Sequence, residues 1–337
     1  MMLRSARGWI VIAVAAAAMV GTLPGRTQGL GLITEPLLRD LGASRVAYAQ
    51  INLWATLIGA LGAVGIGRFI DRAGTRPVLT IVAALLGLIV IGMSRVESVA
   101  AVFVWVTLTR AVGQSALSVV SLALMGRTFV RRPDVPMAIY TIALSVGFMF
   151  AFPAVGSMVQ ARGWRTAWAA IGIALLAGLA PAGWFLLRGR PDEAAAPDDP
   201  HPAAEGGMSH GAALRTGAFW TFATGAAVYG LVASGIGLFN ESILAERGFD
   251  AHVYYQTLVV TAMTALAGNF LGGWLATRVR PGHLLAAAMV ILAGGLAWLP
   301  FVRALPEVYA WAAAMGLGGG GVTVLFFAIW PRVFGRR

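Results

Sequence analysis

The stretch GLGLITEPLLRDLG, residues 29–42, recurs 206 residues later as GIGLFNESILAERG, residues 235–248. In that register Gly29 pairs with Gly235, Gly31 with Gly237, Leu32 with Leu238, Glu35 with Glu241, Leu38 with Leu244 and Gly42 with Gly248. The same offset carries Tyr48 onto Tyr254, Gln50 onto Gln256, Gly67 onto Gly273 and Arg72 onto Arg278. At an offset of 205, MGRTFVRR (residues 125–132) returns as WPRVFGRR (residues 330–337). Agreement in one ungapped register over such a length marks two copies of a whole bundle in parallel order, the plan of transporters whose halves rock about a midplane site.

Hydropathy tells what is repeated. Residues are 58% hydrophobic and 12% charged, where a soluble chain carries roughly 25% charge. A bilayer is crossed by about 20 mainly apolar residues in helix. Runs of that size recur at 9–37, 46–70, 77–94, 98–126, 136–159, 165–188, 216–244, 253–276, 283–301 and 305–330, predicting ten spans. Backbone groups in lipid must bond within their own segment, so the spans are helices; the short alternating segments of a β-barrel are absent. Arg4 and Arg7 before the apolar run 9–20 fit a signal peptide or a first span. The continuation of that run to Leu38, with many like it following, favours the span.

The segment 189–215 stands apart: polar, rich in Pro, Ala and Asp, it reads as a linker. It divides the chain into an N-terminal six-helix bundle (1–188), a cytoplasmic linker (189–215) and a C-terminal bundle with four helices present (216–337). His201 and His210 lie in the linker and read as solvated residues rather than a metal pair. No cysteine is present, which excludes disulfides and thiolate ligands. With the N-terminus in the cytoplasm, sixteen of the 25 basic residues, all arginine, fall on the cytoplasmic side and seven on the outer side. That bias orients the chain, and the net charge of +11 serves topology and anionic headgroups rather than nucleic acid. Arg337 corresponds to Arg132, just before the fifth span, so counterparts of spans 5 and 6 are missing from the second half. This predicts a truncated twelve-helix protein of a bacterial cytoplasmic (inner) membrane.

Between spans 2 and 3 lies GRFIDRAGTR, residues 67–76. It resembles the signature loop of the major facilitator superfamily, with Gly67, Asp71, Arg72, Gly74 and Arg76 at the matching positions. GWRTAW, residues 163–168, is similar to that family's loop before helix 6. PGRTQGLGLITEPLLRDLGASR and RAVGQSALSVVSLALMGRTFVRR resemble the first and fourth helices of bacterial members related to monocarboxylate and oxalate–formate carriers. The resemblance implies an all-α membrane protein of the major facilitator fold: two six-helix bundles related by a pseudo-two-fold, the second lacking its last two helices. It implies a gating latch in which Asp71 meets the start of helix 11, an anion at a helix dipole. With no helix 11, that latch is expected to lack its partner. It also implies a central cavity lined by helices 1, 4, 7 and 10.

Two arginines lie inside spans. Arg26 sits about 25 Å from the cytoplasmic start of span 1 and Arg110 about 18 Å from the outer start of span 4. An arginine at that depth costs about 2.5–3.5 kcal/mol on insertion scales and is a functional candidate. The repeat sharpens this: the counterparts are Val232 and Met315. Thr22 shares a face with Arg26, with Gln28 nearby; Thr107, Arg110, Gln114 and Ser118 form a polar stripe at helical spacing. Two guanidiniums suit a carboxylate or phosphate, gripped bidentately. They also suit a structural role, capping carbonyls or pairing with Glu35. Asn240 is a further cavity candidate, with Tyr229 and Asn269. Glu35 and Glu241, near helix ends, are candidates for a coupling proton or for structure.

The run GLGGGG, residues 316–321, matches the dinucleotide pattern G-x-G-x-x-G, but lies inside an apolar span and not between strand and helix. Close helix packing through small residues is its reading, as for Gly21, Gly25 and Gly29. No paired carboxylates, histidine cluster or nucleophile constellation occurs in the spans, which excludes the enzyme class, and no cofactor is implied. The function expected is secondary active transport of a small carboxylate-type anion by alternating access, with a proton as a candidate partner. The alternative is a transporter-like receptor or inactive relic.

Overall fold

The computed structural model describes residues 6–63, 65–129, 134–188, 210–276 and 278–334. Among them, ten helices are long and apolar enough to cross a membrane: α1 Arg7–Gly25, α2 Arg45–Ala73, α3 Thr75–Met93, α4 Val99–Thr128, α5 Val135–Arg162, α6 Trp164–Leu186, α7 Gly217–Ala245, α8 Ala251–Leu275, α9 Pro281–Phe301 and α10 Leu305–Leu325. No β-strand occurs among the described residues. Several helices are apolar on their outward faces too: Phe150 is 68% exposed, Leu231 70% and Val290 70%. Helices apolar all round belong in the interior of a large protein or in lipid, and here the exposed side chains meet no protein.

The chain divides into two compact units, Met1–Ala196 with Gly237–Glu241, and Pro197–Ile236 with Ser242–Arg337. In the first, α1 packs on α4 and α5, α2 on α4, and α3 on α6. Gly87 and Gly172 let α3 and α6 approach backbone to backbone: a Cβ on either would lie 2.8 or 2.7 Å from the other's carbonyl oxygen. In the second, α10 packs on α8 and α9. There the glycine run does its work. A Cβ at Gly316 would fall 2.4 Å from the Thr261 carbonyl oxygen, and one at Gly320 2.2 Å from that of Ala265. The linker 189–215 lies outside the described residues as far as 209, and so do Arg131, Arg132, Arg336 and Arg337 of the second repeat block; His210–Ala213 makes a short helical turn.

The first apolar run is not the continuous helix over 9–37 that hydropathy predicts. After Gly21 the chain tightens into a 3-10 turn, Leu23–Gly25. Arg26 is extended, at φ −87° and ψ 151°, and helix resumes over Thr27–Gly31 and Thr34–Leu41. Pro24 brings no N–H to the ladder, which favours a break beside it. Gly29 permits the fold-back, since a Cβ there would sit 1.8 Å from the Leu23 carbonyl oxygen. Gly29 thus serves its own segment, whereas the packing against a neighbouring helix expected of all three glycines holds for Gly21, beside Leu175 and Leu179, and Gly25, beside Thr109. In α4 the regular turns end at Thr109, and Arg110–Leu117 form a π-helix. The repeat partners show neither irregularity: α7 is one helix over Gly217–Ala245, and helix runs unbroken over Leu305–Phe334. The two halves therefore differ in backbone where they differ in arginine.

Candidate functional site

Arg110 opens the π-helical segment of α4, a wide turn frequent at functional sites. Three glycines let neighbours close on it. A Cβ at Gly59 of α2 would lie 2.6 Å from the Arg110 Cβ, one at Gly62 2.7 Å from the Ala111 carbonyl oxygen, and one at Gly25 2.3 Å from that of Thr109. The guanidinium is consequently buried, with Arg110 only 2% exposed. Its Nη1 donates to Thr27 Oγ1 at 2.9 Å and to Gln114 Oε1 at 2.6 Å, and its Nη2 donates to Asn52 Oδ1 at 2.9 Å. Its Nε finds no acceptor among the described residues. All three acceptors are neutral, so both terminal nitrogens are hydrogen-bonded while the charge meets no counter-ion among the described residues. A buried, uncompensated cation is costly and persists only where something opposes the cost.

The cage has a definite geometry. The Asn52 Nδ2 donates to the Tyr48 carbonyl at 3.0 Å, one turn back on α2, and this turns Oδ1 toward Arg110. Thr27 is buried and Gln114 is exposed, so the Gln114 amide caps the open side of the guanidinium. Ser115 Oγ donates to the Gly59 carbonyl at 2.9 Å, tying the π segment to α2.

Arg26 has other company. Its Nε donates to Thr22 Oγ1 at 2.6 Å and its Nη2 approaches Met19 Sδ at 2.9 Å. Its guanidinium lies over the Phe148 ring of α5, 5.1 Å from the centroid, a cation–π arrangement. Arg26 is half-buried, hence the more accessible of the two. The cations share no partner. Arg26 and Thr27 are consecutive, yet one reaches toward α5 and the other toward Arg110, because the chain between them is extended. Neither arginine pairs with Glu35. That carboxylate forms a two-point pair with Arg45, Nε–Oε1 and Nη2–Oε2 both 3.1 Å. Gln28 is exposed, Asn240 buried, and Glu241 half-buried with its Oε2 lacking a hydrogen-bond partner among the described residues.

The signature segment is mostly helix rather than loop: Ile66–Ala73 are helical, and Gly74 breaks them at φ 84°, a backbone region suited to glycine. Asp71 finds a partner within its own half, other than the start of helix 11 that the resemblance assigned to it. It forms an ion pair with Arg127 at the C-terminal end of α4, whose Nη1 also points at the Ile70 carbonyl. Arg76 donates Nε to the Trp184 carbonyl at 2.8 Å and stacks over that indole at 3.9 Å. Arg72 is exposed, and Gly67 meets nothing within 4 Å. The segment is thus clasped within its own half. Asp71 is two-thirds exposed, so Asp71→Asn is expected to cost under about 1 kcal/mol, read as a small drop in melting temperature that the swap Asp71→Arg with Arg127→Asp largely restores. At the opposite end of the bundle Asp40 receives Trp164 Nε1 at 3.2 Å and Arg165 Nε at 3.0 Å, while Arg165 Nη1 reaches the Ser94 carbonyl at 3.1 Å. The GWRTAW motif therefore fastens α6 to α3 and to the segment Thr34–Leu41.

Sequence reasoning missed Asn52, Thr27 and Phe148. Asn52 carried a signal, being an amide set within an apolar span, two residues after Gln50. Phe148 carried none: one phenylalanine in a lipid-facing helix looks like any other.

A family model of the Major Facilitator Superfamily matches residues 8–337. A curated protein of Mycolicibacterium smegmatis, described as an MFS-type efflux pump, is 28% identical over 281 residues, covering 81% of this chain. The chain spans 63% of that relative's length. Among solved structures, a bacterial homolog of the human lysosomal transporter Spinster is similar in its inward-facing occupied form (TM-score 0.73, 14% identity) and its inward-facing unoccupied form (TM-score 0.71, 16% identity). Each match covers 96% of this chain and 74% of the other. At such identities the likeness speaks for the fold.

Proposed function

We propose that this chain, which belongs to the Major Facilitator Superfamily, is a secondary active transporter of a small organic anion, carboxylate-type, in a bacterial cytoplasmic membrane. One observation carries the reading: Arg110 is buried in mid-span and, among the described residues, is hydrogen-bonded only to neutral acceptors, with its Nε unmatched and no carboxylate partner. An anionic substrate is the counter-ion this arrangement lacks. Charge-assisted hydrogen bonds are about twice as strong as neutral ones, so the substrate competes well for Gln114's place, and Gln114 is the cage member free to yield. Arg26, half-exposed above Phe148, serves as the second cation. The arginine-rich side faces the cytoplasm. The named relative is an efflux pump, which favours export.

Glu241 is the carboxylate proposed to carry a coupling proton; Glu35 is already committed to Arg45. The proposed domain arrangement is a six-helix bundle over 1–188, a cytoplasmic linker over 189–215 and a second bundle over 216–337.

The test is uptake of radiolabelled acetate, lactate, oxalate, succinate and benzoate into proteoliposomes holding the full chain. Wild type is expected to accumulate at least one of them. Arg26→Gln is expected to raise KM about tenfold, the worth of one charge-assisted contact, and Arg26→Lys to restore part of it. Equal uptake by wild type and Arg26→Gln would remove Arg26 from the site. Binding without uptake would assign a receptor instead.

A further inference from the structure

We infer that Asn52 is a positioning residue whose neutrality matters: it holds Arg110 in place while leaving the guanidinium's charge for the substrate. The inference rests on the reading of Arg110 as the anion-binding cation. Nothing in the hydropathy of α2 requires an amide at this depth, and a buried polar side chain without a partner would be a liability. Asn52 is instead engaged at both ends of its amide. Its Nδ2 is spent on the Tyr48 carbonyl, and its Oδ1 on Arg110 Nη2. The amide can point only one way, because the opposite flip sets a carbonyl oxygen against a carbonyl oxygen and an NH₂ against a guanidinium. Asn52 therefore fixes the plane of the guanidinium from the α2 side, as Thr27 does from the segment after the helix break.

Aspartate is nearly isosteric with asparagine and has the same reach. In the membrane interior buried arginines commonly pair with carboxylates, and Asp at this position would make a charge-assisted bond stronger than the one present. The chain forgoes that bond. Thr27 and Gln114 repeat the choice, so every acceptor in the cage orients the cation without cancelling it. A carboxylate at position 52 would occupy, from within the protein, the role assigned to the substrate. A merely structural Asn52 predicts that added ion pairing is harmless or helpful in every respect; a positioning Asn52 predicts that it helps the fold and harms transport.

The experiment sets Asn52→Asp, Asn52→Leu and Arg110→Gln beside wild type, alone and combined, with two readouts. The first is proteoliposome uptake of the five labelled anions named above. Asn52→Asp is expected to raise KM at least tenfold with the maximal rate within about threefold of wild type. Asn52→Leu is expected to lower the maximal rate, because the guanidinium loses its orientation. The second readout is thermal unfolding in detergent, which needs no substrate. Asn52→Asp is expected to raise the melting temperature in the wild-type background and to lower it in Arg110→Gln, where the new carboxylate has no cation. That change of sign is the interaction a double-mutant cycle isolates.

Unchanged KM in Asn52→Asp overturns the inference, even where Arg110→Gln abolishes uptake and so upholds the transport reading. A melting temperature that falls in both backgrounds also overturns it. If Arg110→Gln transports like wild type, or wild type moves none of the anions, the transport reading fails. The thermal cycle then still decides separately whether Asn52 faces an uncompensated Arg110.

Discussion

Arg110→Gln is expected to lower anion uptake ten- to a hundredfold and to leave the melting temperature equal to or above that of wild type. The two effects have opposite signs for one reason. In the resting protein the guanidinium is a buried cation whose three acceptors, Thr27, Asn52 and Gln114, are all neutral. Removing an unpaired charge from a low-dielectric interior relieves a cost, and glutamine keeps two N–H donors for part of the cage. In the loaded protein the same group makes charge-assisted bonds to the anion, worth about 1.5–3 kcal/mol, which is roughly one to two powers of ten in affinity. The check is paired: proteoliposome uptake and thermal unfolding on the same preparation. Wild-type uptake by the variant refutes the anion site. A large drop in melting temperature makes Arg110 a strut instead of a ligand.

Gly25→Val is expected to disrupt the first bundle outright, costing about 3 kcal/mol or more, the upper end of overpacking effects. A Cβ at residue 25 would lie 2.3 Å from the Thr109 carbonyl oxygen and 2.8 Å from the Gln114 backbone nitrogen. Both are backbone atoms, so no rotamer change relieves the clash; the 3-10 turn must leave α4. Thr27 is two residues on, and the displacement carries it away from Arg110. The smaller Gly25→Ala meets the same two atoms with its only Cβ, so uptake should fall with it even where folded protein can be isolated. Gly126→Ala in α4 is the control, since a Cβ there meets nothing within 4 Å. Size-exclusion profiles and thermal unfolding in detergent measure the effect. A Gly25→Val protein that is monodisperse and melts with wild type would show that the helix break and α4 are not held as closely as described.

Much of this protein was legible before any coordinates. Ten apolar runs become ten helices because span length is a one-dimensional quantity, set by bilayer thickness and rise per residue. The pairing of Glu35 with Glu241 and of Arg72 with Arg278 exposes the doubled plan, since a repeat needs only comparison of letters. The same comparison separates Arg26 and Arg110 from Val232 and Met315, and the backbone agrees: the break after Gly21 and the π segment Arg110–Leu117 occur only in the half that has the arginines.

What the letters could not supply is neighbourhood. Hydropathy places both arginines in the membrane and invites the picture of two guanidiniums facing one ligand. Tertiary structure sends them apart, Arg26 toward Phe148 and Arg110 into a cage. That cage is built from residues 58 and 83 positions distant, Asn52 and Thr27. Asp71, which the resemblance assigned to the start of helix 11, pairs here with Arg127, 56 positions on. Composition and periodicity decide how deep a residue lies and which helix carries it. The partner of a buried polar group depends instead on how closely two backbones approach. In this chain that approach is set at Gly25, Gly59 and Gly62, where the missing Cβ atoms let α1, α2 and α4 close around one cation.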